Sequence, residues 1–146
     1  MRAAALVALL TLPAAALAEG ARVHCTVRSV HALKTEGGVD PKLESLRHIL
    51  EKEPFTAYKT FRMLAEQARD LQQKVASEFR IVNGKTLTLT FLERLIDEKE
   101  RTRLRILVVY PGLNTQQKIG DGATIPLVVG EHKGGSLLLA TTCKTQ

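Results

Sequence analysis

The sequence has few aromatic residues: it contains no tryptophan, four phenylalanines and two tyrosines among 146 residues. Proteins that bind single-stranded nucleic acid by base stacking need exposed aromatic rings among basic residues. Most of the six rings fall on predicted core positions, so we expect no nucleic-acid partner. The formal net charge is +6, yet no long block of like charges occurs. The surface is therefore predicted to mix both signs of charge.

Catalytic and metal-binding motifs are also missing. The four histidines are His24, His31, His48 and His132. None of them is paired with another ligand at a metal-binding spacing such as H-x-x-x-H. Ser136 lies near His132 but lacks the G-x-S-x-G context of a nucleophile elbow. Gly120-Asp121-Gly122 continues into neither a P-loop nor a calcium loop. The sequence thus predicts no catalytic, cofactor-binding or metal-binding residues, no cofactor, and leans away from an enzyme.

The longest apolar run lies at the N-terminus. Arg2 precedes an alanine-rich apolar segment from Ala3 to Leu12, and Ala16-Leu17-Ala18 has the small-x-small pattern that a signal peptidase recognises. A transmembrane helix would need about 20 apolar residues, and this run is shorter. Residues 1–18 are predicted to be a bacterial signal peptide cleaved after Ala18. We therefore expect a periplasmic or secreted protein without a membrane span.

The mature chain, residues 19–146, is predicted to form a single α+β domain with one disulfide. In an oxidising compartment, an even number of cysteines as small as two usually forms one bond. Cys25 and Cys143 each share an apolar face with other residues of a predicted strand. We predict a Cys25–Cys143 disulfide, which requires the first and last strands to be neighbours.

Short strands separated by turn signals dominate the mature chain. Asn83-Gly84 favours a two-residue type I′ hairpin turn. Leu87, Leu89 and Phe91 then alternate with threonines, as in a strand with one buried face. The later segments recur at the spacing of an antiparallel meander or sandwich. The predicted fold class is α+β, mainly antiparallel β.

One short helix is predicted at about 41–52. Asp40 can cap it, Pro41 suits its first position, and Pro54 ends it. Residues 55–77 are ambiguous between strands and a helix. Intrinsic propensity favours a helix over 62–74, whereas the aromatic and threonine content before it suits a sheet.

Several positions resemble a group of small exported proteobacterial proteins that have no assigned function. The residues that carry the resemblance are Pro54-Phe55, Tyr58, Phe61, Asn83-Gly84, Leu113-Asn114-Thr115 and Gly134-Gly135-Ser136-Leu137-Leu138. The resemblance implies that 55–66 and 74–82 are strands.

The function that the sequence favours is a non-catalytic binding or interaction module, whose partner is another protein or an envelope polymer. The first alternative is a small hydrolase or a hydrolase inhibitor. A hydrolase would need a pocket that joins His132, Ser136 and an acid, and an inhibitor would need a protruding loop at 130–135 or 97–101.

The second alternative is an accessory role in envelope secretion or surface adhesion. The runs at 113–115, 120–122 and 128–130 are similar to a glycine-bracketed strand of outer-membrane secretion-pore proteins. A positive net charge also suits attraction to an anionic surface.

Overall fold

The computed structural model describes residues 21–146, and these residues form two β-sheets that pack face to face. The predicted signal peptide lies outside the described residues. The strands, in chain order, are β1 (Arg22–Leu33), β2 (Gly38–Val39), β3 (Thr60–Gln72), β4 (Ala76–Arg80), β5 (Thr86–Ile96), β6 (Thr102–Tyr110), β7 (Leu113–Gly120), β8 (Thr124–His132) and β9 (Gly135–Thr145).

The first sheet has the strand order β2-β3-β1-β9-β8 and the second has the order β4-β5-β6-β7. All pairings are antiparallel except the short β2–β3 pair. One apolar cluster fills the space between the sheets, with Val23, Leu71 and Leu139 from the first sheet and Phe79 and Phe91 from the second. The prediction of a mainly antiparallel, sandwich-like fold with one short helix is confirmed.

The helical segment lies on the outer face of the first sheet, and it differs from the predicted helix at 41–52. A 3₁₀ turn spans Pro41–Leu46, and α1 spans only Arg47–Leu50. In 3₁₀ geometry, residues three apart lie on the same side, so Leu43 and Leu46 are both buried against the sheet. The predicted cap is present, because the Asp40 carboxylate accepts the N–H of Lys42 at 3.0 Å.

The helical alternative for 62–74 is wrong, because β3 continues as one strand to Gln72 and a turn follows. The strands implied at 55–66 and 74–82 are present with other bounds, since 55–57 form a 3₁₀ turn and the strands are β3 and β4. A β-bulge at Leu64 explains why the sequence pattern of β3 is misleading: Met63 pairs with Val30, and Ala65 pairs with Ser29. The extra residue moves odd-numbered side chains of β3 from one face of the sheet to the other. The broken alternation therefore imitates a helical stripe.

The predicted two-residue turn at Asn83-Gly84 is also wrong. The loop spans residues 81–85, in which the N–H of Ile81 donates to the carbonyl of Lys85 at 2.8 Å. Of the Asn-Gly pair only Gly84 has a positive φ, 83°. The Asn83 side chain instead accepts the N–H of Lys85 and donates to the Tyr110 hydroxyl at 2.7 Å. These bonds hold Asn83 outside the left-handed conformation that a type I′ turn requires.

The predicted disulfide between Cys25 and Cys143 is confirmed. The two residues face each other directly on the neighbouring strands β1 and β9, with 4.1 Å between their Cα atoms. This short distance is typical of a non-hydrogen-bonded pair in an antiparallel ladder. Both side chains are fully buried in the cluster between the sheets, so the bond joins the first and last strands inside the core.

Candidate functional site

A cleft of about 400 Å³ with both polar and apolar lining lies where the β8–β9 hairpin meets the end of β1. Its lining combines main-chain surface at glycines with polar and charged side chains. The lining residues are Leu33, Lys34, Thr35, Tyr58, Glu131, Gly134, Gly135 and Ser136. We call this feature the Tyr58 cleft.

The β8–β9 hairpin forms one wall of the Tyr58 cleft because of its two-residue turn. Lys133 and Gly134 both have positive φ angles, 42° and 80°, which is the conformation that a type I′ turn requires. The following residue, Gly135, packs directly against the carbonyl oxygen of Ala32. Any side chain there would collide with β1, so glycine allows the hairpin to lie against the end of that strand.

A histidine fixes the hairpin to β1. The Nε2 of His31 donates a hydrogen bond to the carbonyl oxygen of His132 at 2.8 Å. The two imidazole rings also meet edge to face, with centroids 5.4 Å apart. Because β9 lies between β1 and β8, this contact crosses a strand, and it positions the wall of the cleft.

The hydroxyl groups of Tyr58 and Ser136 share a hydrogen bond of 2.8 Å within the cleft. Tyr58 directly follows the 3₁₀ turn Phe55–Ala57, and its ring meets that of Phe61 edge to face at 6.2 Å. The ring of Tyr58 is therefore positioned by its contact with Phe61, and its hydroxyl group by the bond to Ser136. Each hydroxyl keeps capacity to bond a ligand, since a hydroxyl both donates and accepts.

Lys34 and Glu131 bring opposite charges to the lining of the cleft. Within residues 21–146, neither side chain takes part in an ion pair. The cleft thus offers a cation, a carboxylate and two hydroxyl groups to a polar ligand. This set can form several directional bonds with a polyhydroxylated or peptide-like group.

The structure does not assemble the nucleophile that a serine hydrolase would need from Ser136. The hydroxyl of Ser136 is bonded to Tyr58, whereas the ring of His132 packs on His31. In the described part of the chain, Ser136 has no hydrogen bond to a histidine or a carboxylate. A serine without an adjacent base is a weak nucleophile.

The remaining histidines lie away from the cleft. The Nδ1 of His24 donates to Asp70 at 2.7 Å on the outer face of the first sheet. This bond, followed by one from Gln146, lowers the pKa of the Asp70 carboxyl group below its ordinary value. His48 is exposed on α1. In the described range 21–146, no group of three or more His, Cys, Asp or Glu side chains could hold a metal ion.

A second feature is the tip of the β5–β6 hairpin, residues 97–101. The Asp97 carboxylate accepts the main-chain N–H groups of Lys99 and Arg101, both at 2.9 Å, and the Nε of Arg103 at 3.1 Å. The N–H of Arg101 is the largest cause that lowers the pKa of Asp97, to about 2. Ile96, beside this tip, is 64% exposed. The tip is therefore held in one conformation while it presents an apolar side chain.

Sequence reasoning identified Ser136 and His132 as neighbours but missed Tyr58, Lys34 and Thr35 as members of the same cleft. Tyr58 lies 78 residues from Ser136 in the chain. Only the pairing of β1 with both β3 and β9 brings these segments together. No local pattern could have indicated this proximity.

The fold and cleft define a disulfide-bonded β-sandwich with a cleft of mixed polar and apolar lining at one end of its first sheet. Comparisons with protein-family models, with curated proteins and with solved structures found no match. The resemblance to exported proteobacterial proteins stays a prediction.

Proposed function

We propose that the chain is an exported, non-catalytic binding module of the bacterial envelope or the extracellular space. The disulfide supports this location, because such bonds persist in oxidising compartments. Among residues 21–146, no helix is long and apolar enough to cross a membrane. Export itself rests on the predicted signal peptide.

The observation that carries the binding function is the Tyr58 cleft. Its serine is bonded to a phenol instead of a base, and its charged side chains, Lys34 and Glu131, form no ion pair in the described range. These groups are better suited to binding a ligand than to catalysing a reaction. An aromatic ring beside hydroxyl groups and a pair of opposite charges fits a segment of an envelope polymer, with a protein segment as the other partner class.

Calorimetric titration with soluble cell-wall glycan-peptide fragments tests this function. We expect saturable binding to the wild type and at least about tenfold weaker binding to Tyr58→Phe, because the variant keeps the ring and loses one hydroxyl group. Thr88→Ala, on the outer face of the second sheet, is the control and should bind normally. Equal affinity of all three proteins would contradict the assignment of the cleft.

A turnover assay separates binding from hydrolysis. The wild type and Ser136→Ala are incubated with peptide, glycan and ester substrates. We expect no turnover by either protein. Turnover that survives purification and is lost in Ser136→Ala would show a hydrolase and overturn the proposal.

The fixed tip at 97–101 favours one second candidate, an inhibitor of an extracellular hydrolase. Inhibitory loops bind well when they are already ordered, and Asp97 orders this one. Inhibition of a panel of proteases and glycosidases by the wild type tests this candidate. The expected pattern is a loss of inhibition in Asp97→Ala and full inhibition by Tyr58→Phe.

A further inference from the structure

The sandwich has open sheet edges, and native proteins usually protect such edges against pairing with other chains. β8 carries Pro126 and a bulge between Val128 and Gly130. β4 is only five residues long. β3 is covered by β2 at Thr60 and Phe61, and beyond them it carries the bulge at Leu64 and several charged residues. Each of these three edges therefore has a recognised protective feature.

The fourth edge, β7, is different. It has eight residues, no proline and an unshifted register against β6, and its only charged residue is Lys118. It is the last strand of the second sheet in the described part of the chain. A lysine is the one protective feature that this edge has.

The hairpin turn sets which groups of β7 face outward. Pro111-Gly112 is a two-residue loop, so its closing pair, Tyr110 and Leu113, is hydrogen-bonded. Odd-numbered residues consequently bond to β6, in agreement with the N–H of Asp121, which donates to the carbonyl of Thr102. The N–H and C=O groups of Asn114, Gln116 and Lys118 therefore point away from the sheet. Within residues 21–146 these groups have no hydrogen-bond partner.

We propose that β7 pairs with β7 of a second copy of this chain, antiparallel about a two-fold axis at Gln116. The two four-stranded sheets would then continue as one sheet across the dimer. In this register Gln116 faces its own copy, and Lys118 faces Asn114. This register avoids a like-charge contact, because the single cation of each copy meets a neutral amide instead of another cation.

The apolar side chains of β7 support the same register. Leu113 and Ile119 are half-buried and pack against the core between the sheets. Pairing about Gln116 places Leu113 of one copy opposite Ile119 of the other, and Thr115 opposite Gln117. A shift of two residues in either direction would place Leu113 or Ile119 opposite a polar residue or a proline. The second copy is thus a better match for this edge than an arbitrary strand.

Sedimentation velocity of the oxidised mature protein over a range of concentrations tests the proposal. We expect a reversible monomer–dimer equilibrium, weak because the interface is small. Gln116→Lys places two like charges face to face and should raise the dissociation constant at least about tenfold. Ala68→Lys adds the same charge to the edge of β3, and it should leave the dissociation constant unchanged.

A proline variant provides an independent check. Gln116→Pro removes an outward N–H that does not bond to β6, so the fold should tolerate it as an edge proline, and the dimer should be lost. A monomer at all concentrations up to roughly 1 mM would overturn the proposal. A dimer that neither Gln116 variant weakens would also overturn it, as would a monomer whose β7 pairs only with a foreign peptide.

Discussion

The two open sides of the sandwich, at which edge strands of the two sheets lie together, β3 with β4 and β7 with β8, differ in the side chains that cover the gap between the sheets. On the β3–β4 side, polar side chains cross the gap between the sheets. The Nε2 of Gln67 donates to the carbonyl of Arg80 at 2.7 Å, and the guanidinium of Arg69 lies 5.4 Å from the ring centroid of Phe79. On the β7–β8 side, the rim consists of apolar side chains that remain half-buried: Leu113, Ile119, Leu127 and Val129.

This difference indicates which side of the sandwich covers the core without a second molecule. The polar side chains of the β3–β4 side satisfy main-chain groups and cover an aromatic ring without help from another molecule. The β7–β8 side exposes part of its core rim beside an edge strand with unpaired main-chain groups. Apolar surface of this kind is stabilised by further burial, so this side is the one suited to association.

The largest expected effect comes from the disulfide, which joins β1 and β9, the two strands between the open sides of the first sheet. Cys25→Ala combined with Cys143→Ala removes a link between residues 118 apart. Under the chain-entropy account, the free energy of unfolding should fall by about 4–5 kcal/mol. Urea denaturation measures this loss, and the reduced wild type should show a similar one. A loss below about 1 kcal/mol would contradict a stabilising role for the bond.

A smaller effect is expected at the apolar rim of the β7–β8 side. Ile119→Ala removes a side chain that is only partly buried, so unfolding should become easier by about 1–2 kcal/mol, less than at a fully buried site. Denaturation at low protein concentration, where dimers dissociate, isolates this contribution. Ile106→Ala, in the core of the same sheet, is the matched comparison. An equal loss of stability in both variants would mean that Ile119 at the rim contributes as much as Ile106, which is fully buried in the core.

The polar contacts on the β3–β4 side should contribute less to the free energy of unfolding. Arg69→Met keeps an unbranched apolar stem and removes the charge over Phe79, so the expected loss is about 0.5–1 kcal/mol. Arg62→Met changes an exposed arginine of the same strand and is the control, with a smaller expected loss. Denaturant midpoints of the two variants give the difference. Equal midpoints would show that the cation does not stabilise this side.

The smallest predicted effect is a pH dependence at the β5–β6 tip, away from both open sides. The folded pKa of Asp97 is about 2, below its ordinary value of 3.8. The ionised carboxylate therefore stabilises the fold above about pH 4, and this contribution is lost as the pH falls toward 2. Asp97→Asn should lower the melting temperature at pH 6, and its difference from the wild type should shrink between pH 4 and pH 2. Glu98→Gln is the control and should follow the wild type, and a constant difference for Asp97→Asn would contradict the assignment.

Sequence patterns predicted those features that depend on local alternation and residue count. The strand of Leu87, Leu89 and Phe91 follows from its period, and the Cys25–Cys143 bond follows from parity and strand faces. Features set by long-range pairing could not be predicted. The bulge at Leu64 depends on how β3 aligns with β1, and the Tyr58–Ser136 bond depends on two strand pairings at once.

The turns show that sequence patterns can also fail to predict structure at short range. Asn83-Gly84 has the preferred type I′ composition, yet the side chain of Asn83 bonds to Tyr110 and the loop widens. Lys133-Gly134 lacks that composition and forms the tight turn. At Asn83, a contact with another strand therefore outweighs the local preference.

Hydrogen exchange at single residues, measured at low and high protein concentration, tests the contrast between the two sides most directly. We expect the outward amides of Asn114, Gln116 and Lys118 on β7 to exchange more slowly as the concentration rises. The exchange rates of the Glu66 and Ala68 amides on the β3 edge should not change. Rates on β7 that are independent of concentration, or slowing on the β3 edge instead, would contradict this expectation.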